Sequence, residues 1–299
     1  MGKLIRAISG NGMAVCYALD STDMVGELER IHRSSAVVTA ATGRLLTAAS
    51  IMGSMLKGEG HSITLGVSGG GPAGSVIAVA DAAGNAKAYA TNPVVEIPLN
   101  PRGKLDVSGA VGREGKLYVI RDQGRGEPYV GLVPLVSGEI AEDITSYFAT
   151  SEQVPTVCAL GVLVDTDLTV KAAGGYLLQL LPGAGEEEIS QVEQNTLAMP
   201  PVTQLICDGL TPEELALRAL AGMEPRVLDA RTVEYRCDCT RQRMAAALAS
   251  LGAGELRAMA EEDGQAELCC HFCRDRFTFP REELLEMASR KEESQPRQP

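Results

Sequence analysis

Tryptophan is missing from this sequence, and only four phenylalanines occur in 299 residues. A core without large rings must be aliphatic, built from Val, Leu, Ile and Ala, and at 45% hydrophobic residues there is ample material for one. Positive charge is also scarce. Twenty-seven Lys and Arg face 39 Asp and Glu, a formal net charge of −12. Such a surface repels phosphate backbones, and no basic patch in the sequence is large enough to reverse this, so nucleic acid is not an expected partner. No apolar run reaches the roughly 18–20 residues of a membrane span. The N-terminal "AISGNGMAVCYAL" is broken by Gly and Asn and lacks a signal-peptide core. A cytoplasmic, reducing location is expected, with no membrane contact.

Against these absences stand eight cysteines. In a reducing compartment they read as metal ligands or redox groups rather than structural bridges. Cys16, Cys158 and Cys207 stand alone in apolar segments, while the other five crowd into the last 63 residues.

Residues 1–183 read as one α+β domain with a mixed, mostly antiparallel sheet. Apolar residues at helical spacing fill 24–57, ended by Gly58, Glu59 and Gly60. Strand-like runs follow at 62–67, 75–81 and 86–91, the last two joined as a hairpin through "AAGN". "KLYVIRD" and "PYVGLVPL" flank "QGRGE" in the same way, a helix is expected over 139–149, and a long hairpin should turn near Asp165 and Asp167. Residues 184–235 read as an amphipathic helical linker. Nine acids and two bases lie between Glu186 and Asp229, over half of the net charge. "TPEELALRALAG" has a capping box, with Thr211 as N-cap, Pro212 in the first turn and Glu214 reaching back. Residues 236–290 form a small C-terminal unit, and the polar tail 291–299 is expected to be disordered.

The thiols of that unit come in pairs. Cys237 and Cys239 form C-x-C, Cys270 and Cys273 form C-x-x-C, and thirty residues lie between the pairs. Thiolates bind Zn²⁺ tetrahedrally at about 2.3 Å, commonly as two pairs from separate segments, so one zinc per chain on these four is expected. The adjacent Cys269 points opposite to Cys270 if the run is a strand. Seating Cys269 with Cys273 is the alternative, although the x-x spacing is the commoner zinc turn. His271 lies within the knuckle with its ring expected to turn away from the metal. Four thiolates and one zinc sum to −2, and Arg236, Arg241, Arg243, Arg274 and Arg276 bracket the site as possible counter-charges. A fully thiolate site has no open position, which disfavours hydrolytic zinc chemistry. Two roles stay open on spacing alone: a structural zinc, or a redox switch in which oxidised ligands release the metal and the small unit loses its fold.

Other motifs are weaker. Gly69, Gly71 and Gly74 match a dinucleotide fingerprint, but Pro72 interrupts it and a strand rather than a helix follows. His32 and His61 have no recognisable nucleophile or carboxylate partner, and Asp165 and Asp167 are most simply turn residues.

Several stretches resemble one family over nearly the whole length: "SGGGP" (68–72), "SEQVPT" (151–156), "AAGGYLLQLLP" (172–182), and "VEYRCDCTRQRM" with "CCHFC". The chain resembles the redox-regulated holdase chaperones of bacteria, the 33 kDa heat-shock proteins. That resemblance implies zinc on Cys237, Cys239, Cys270 and Cys273 in an inactive reduced form. It implies oxidation to disulfides Cys237–Cys239 and Cys270–Cys273, zinc release, unfolding of the C-terminal unit and linker, and ATP-independent binding of unfolding client proteins, usually as a homodimer. Cys269 lies outside the family pattern. Two other readings compete: a thiol oxidoreductase using Cys270 and Cys273, and a sheet domain with a purely structural zinc.

Overall fold

The computed structural model describes residues 1–294. These divide into two compact units, Met1–Arg236 and the described residues from Cys237 onward. The fold is α+β, and its sheets are antiparallel.

The first unit begins with a hairpin, β1 (Gly2–Ile8) and β2 (Ala14–Asp20), followed by α1 (Thr22–His32) and α2 (Ala36–Ser54). Next come β3 (Ser62–Gly70), β4 (Val76–Asp81), β5 (Ala86–Ala90), the short α3 (Val107–Val111), β6 (Gly112–Asp122), β7 (Tyr129–Pro134) and α4 (Ala141–Tyr147). A π-helical turn, Phe148–Glu152, leads to the long hairpin β8 (Thr156–Val164) and β9 (Val170–Leu180). Then follow α5 (Glu186–Ala198), α6 (Val202–Cys207), α7 (Pro212–Ala219) and β10 (Arg226–Val233). Two five-stranded sheets result, ordered β10-β1-β2-β9-β8 and β5-β4-β3-β6-β7.

The apolar stretch expected as one helix over 24–57 is two. Arg33 adopts a left-handed conformation (φ 46°), and the Ser35 amide bonds the Pro93 carbonyl at 3.0 Å, which breaks the run before α2. By length and composition α2 could cross a membrane, but 89% of it is buried inside the fold. Both sheets pack on it, so it is apolar on all sides. Its small residues permit this closeness: a Cβ on Gly43 would lie 2.6 Å from a Val25 methyl, and one on Gly53 would lie 2.6 Å from the Asp81 carbonyl oxygen. Several of its polar residues are satisfied internally, as where Ser50 Oγ donates to the Gly84 carbonyl at 2.6 Å.

The first sheet is apolar on both faces. Leu4, Val15, Tyr17, Leu19 and Leu177 join the α2 core. The alternate residues Ile5, Ala7, Ala14, Cys16, Ala18, Tyr176 and Leu178 point the other way. That second face is covered by Val192 of α5, Val202 and Leu205 of α6, and Leu215, Ala216 and Ala219 of α7. The Thr211 capping box is present: Thr211 Oγ1 accepts from the Glu214 amide at 3.2 Å, and Glu214 Oε2 accepts from the Thr211 amide at 2.8 Å. Residues 226–233, expected within a helical linker, form β10 instead. Their alternating exposure matches pairing along β1, from Gly2↔Val233 to Ile8↔Arg226.

The second unit holds α8 (Arg241–Leu248), α9 (Ala253–Glu262), the hairpin β11 (Gln265–Cys269) and β12 (Arg276–Pro280), and α10 (Arg281–Ser294). Residues 291–294, expected in a disordered tail, are therefore helical, and the rest of that tail lies outside the described residues. The buried apolar core of this unit is small: Leu248, Leu256, Ala260, Phe279, Leu284 and Ala288.

One buried carboxylate organises the turn before α4. Asp143 is 0% exposed and accepts from the amides of Val136 (2.8 Å), Ser137 (3.1 Å) and Ile140 (2.9 Å), the last with φ 73°. An amide side chain would turn a donor toward one of those N–H groups. Asp143→Asn is therefore expected to lower unfolding stability by about 2 kcal/mol. An unchanged urea midpoint would remove Asp143 from this role.

Candidate metal centre

The strand that closes the first sheet runs straight into the thiols. After Val233, the Ala86 amide donates to the Glu234 carbonyl (3.1 Å), and the Arg236 amide donates to the Ala86 carbonyl (2.9 Å). Tyr235 Oη donates to the Ala88 carbonyl at 3.1 Å, and the Arg236 guanidinium pairs with Asp81. Residues 234–236 thus form a strap along β5. Its period-two pattern continues that of β10, and this was the signal in the sequence that could have revealed it.

Cys237 and Cys239 follow in an extended segment that ends where Thr240 caps α8, its Oγ1 accepting from the Arg243 amide at 3.2 Å. Cys270 and Cys273 sit in the turn between β11 and β12. There the Cys270 amide donates to the Asp275 carbonyl and the Arg274 amide to the Cys270 carbonyl, both at 2.9 Å, with Arg274 left-handed (φ 64°). The four sulfurs lie within 4.8 Å of one another. Cys237 Sγ is 3.7 Å from Cys270 Sγ, and Cys239 Sγ is 3.2 Å from Cys273 Sγ. A tetrahedron of sulfurs at zinc bond length has edges of about 3.8 Å, so the cluster has the dimensions to hold one metal ion.

The thiol chemistry is strongly coupled. Burial pushes Cys239 up to about 11, helped by hydrogen bonds with Cys237 and Cys270, and burial also raises Cys273. Burial acts upward on Cys270 as well, yet hydrogen bonds from the Cys273 and Phe272 amides, together with those from the Cys273 and Cys237 thiols, leave it lowered. Four negative sulfurs this close repel one another unless a cation joins them.

Cys269 ends β11 exposed, its sulfur 3.5 Å from the Arg274 carbonyl, and is not among the four. His271 is exposed. Four of the five bracketing arginines are engaged by carboxylates, and Arg274 forms no ion pair among the described residues. Arg236 pairs with Asp81, Arg241 with Glu283, Arg243 with Asp238 and Arg276 with Glu267. Arg241 also stacks 4.5 Å over the Phe279 ring, so these side chains knit the surface of their own units.

The remaining cysteines stand apart from the cluster. Cys16 is buried, burial pushes the Cys158 thiol up to about 12, and Cys207 is exposed at the end of α6. The glycine motif at 69–74 is a packing device. A Cβ on Gly69 would lie 2.3 Å from the Gly112 carbonyl oxygen, and one on Gly71 would lie 2.4 Å from that of Ala110. His32 Nε2 lies 3.5 Å from Tyr235 Oη, beside the strap.

Comparison with known proteins agrees with this geometry. The family model described as Hsp33 protein matches residues 2–280. The 33 kDa chaperonin of Clostridioides difficile (strain 630) is 45% identical over 284 residues, covering 95% of this chain and 97% of that one. The 33 kDa chaperonin of Bacillus subtilis (strain 168) is 44% identical with the same coverage. The crystal structure of the 33 kDa chaperonin from Thermotoga maritima superimposes with a TM-score of 0.89 at 34% identity, covering 98% of this chain and 99% of that one. The chain belongs to the Hsp33 family.

Proposed function

We propose that this member of the chaperone family is a redox-regulated, ATP-independent holdase rather than an enzyme. The observation that carries this reading is the four-sulfur cluster, set in a unit with so small an apolar core that a bound metal must supply much of its folding energy. The metal is one Zn²⁺ per chain, held by Cys237, Cys239, Cys270 and Cys273 in the reduced, inactive form. Structural zinc sites of this kind contribute roughly 10–16 kcal/mol.

An oxidant such as peroxide converts the four thiolates to two disulfides, Cys237–Cys239 and Cys270–Cys273. The sulfurs give up four electrons; two peroxides accept them with four protons and become four waters, and zinc leaves as the free ion. The pairing rests on the family likeness. In a tetrahedral cluster all edges are similar, so the shorter distances between segments do not choose the partners. Once the metal is gone, the redox-switch domain, 236–290, unfolds, and the linker, 184–235, detaches from the core domain, 1–183. Detachment uncovers the sheet face of Ile5, Ala7, Ala18, Tyr176 and Leu178, an apolar surface for unfolding client proteins. The active form is a cytoplasmic homodimer that uses no nucleotide. The oxidoreductase alternative lacks support, because Cys270 and Cys273 lie in a turn between two strands rather than at a helix N-terminus.

Three outcomes test this reading. Peroxide treatment at mild heat should release zinc to a chromogenic chelator and, together with that release, suppress aggregation of a thermally unfolding client. Zinc release without suppression would leave only a structural metal. Cys273→Ser should weaken zinc binding by at least about tenfold, while Cys269→Ser leaves it within about twofold; metal titration of both variants reads the seating of the fifth thiol. Thr211→Ala removes the α7 cap, worth about 1 kcal/mol. It should lower the temperature at which the oxidised protein begins to hold clients, and an unshifted onset would disconnect α7 from activation.

A further inference from the structure

A second convergence of ligand groups lies in the N-terminal unit, apart from the thiols. A cavity of about 600 Å³ is lined by α2, the 100–106 loop, the start of β6, the start of α4 and β8. Its volume suits a small-molecule site. Four of its twelve lining residues are basic: Arg44, Arg102, Lys104 and Arg113. We propose that this cavity binds a small anion bearing phosphoryl groups, either an inorganic polyphosphate or an organic phosphate ester.

The cavity's own acids do not neutralise it. Glu139 is engaged by Arg44, whose Nη1 donates to Glu139 Oε2 at 2.6 Å and to the Glu139 carbonyl at 3.2 Å. Asp106 accepts from the Gly109 amide at 2.9 Å as the cap of α3. Glu142 remains. Among the described residues Arg102, Lys104 and Arg113 form no ion pair, and the four bases of the lining exceed its three acids by one, in a protein whose net charge is −12. Like charges gather at this density where an anion compensates them.

Arg44 supplies the second argument. Its pairing with Glu139 fixes the guanidinium, yet its Nε is buried with no hydrogen-bond partner among the described residues. The exposed part of the same guanidinium lines the cavity, and a guanidinium presents a planar array of N–H donors that matches a phosphoryl group.

The loop cations are held in advance. Asn100 Oδ1 accepts from the amides of Arg102 and Lys104, each at 3.0 Å, and the Asn100 amide donates to the Lys104 carbonyl at 2.8 Å. Arg113 is aimed by donation from its Nε to Ser108 Oγ at 2.7 Å. Leu105 and Leu160 add an apolar patch that an organic phosphate could cover. The four basic residues are dispersed between positions 44 and 113, which is why the sequence shows no basic patch; the fold assembles one. It is too small for a nucleic-acid backbone, and it does not depend on the redox reading.

Isothermal titration of the full-length, reduced, zinc-loaded chain tests this with orthophosphate, pyrophosphate and a sugar phosphate, with acetate at matched ionic strength as control. One-site binding with Kd below about 1 mM is expected for at least one phosphorylated probe, with no saturable heat from acetate. The double variant K104Q/R113Q, on exposed positions, should weaken binding by at least about tenfold. Arg44→Lys, which keeps the charge and removes the planar edge, should weaken it similarly; if that variant is unfolded by circular dichroism, the double variant decides alone. A preference for pyrophosphate assigns the inorganic anion, and one for the sugar phosphate assigns the ester. No saturable heat with any phosphorylated probe, or undiminished affinity in K104Q/R113Q, overturns the proposal.

Discussion

Four sulfurs confined within 4.8 Å of one another set the terms for the C-terminal unit. They come from two segments far apart in the sequence, and a cation among them would relieve the mutual repulsion of their charged forms. The apolar contribution of the unit is slight, since the side chains around Phe279 make a core far smaller than the one around α2. Its ion pairs are largely exposed, as with Arg257–Glu292 and Arg276–Glu267, and surface pairs contribute little. Neither its apolar core nor its surface ion pairs supply the kind of stabilisation that α2 gives the first unit.

The N-terminal unit follows the opposite logic. Its first sheet is apolar on both faces, and each face needs a lid. One lid is α2, which is buried on all sides and shared with the second sheet. The other is made of short helices that alone would be marginal in water. Their stability is borrowed from the sheet beneath them, and the sheet face is kept from water by them. Acidic first turns, such as Glu186 to Glu188 at the start of α5, suit the helix dipole and keep the outer surface of this lid polar.

Local signals in the sequence were read correctly where a few neighbouring residues decide the outcome. The Thr211–Glu214 capping box and the β4–β5 hairpin are of this kind. Reading failed where distant partners decide. The break at Arg33 depends on the Pro93 carbonyl, and β10 is a strand because β1 offers it an edge. Its charged residues Arg226, Asp229 and Arg231 had made it look like part of an acidic helical linker. Arg236 and Arg241 looked like counter-charges because their carboxylate partners, Asp81 and Glu283, are remote in sequence. The basic cavity was invisible for the same reason.

The pairing of β1 with β10 joins the second residue of the chain to the two hundred and thirty-third. On a ribosome these strands emerge far apart in time. The leading hairpin can pair β1 with β2 early, but the outer rim of β1 has no native neighbour until β10 has been made. Throughout translation this newborn protein carries an open strand rim of the sort that invites aggregation, and the last residues of its first unit are the ones that seal it.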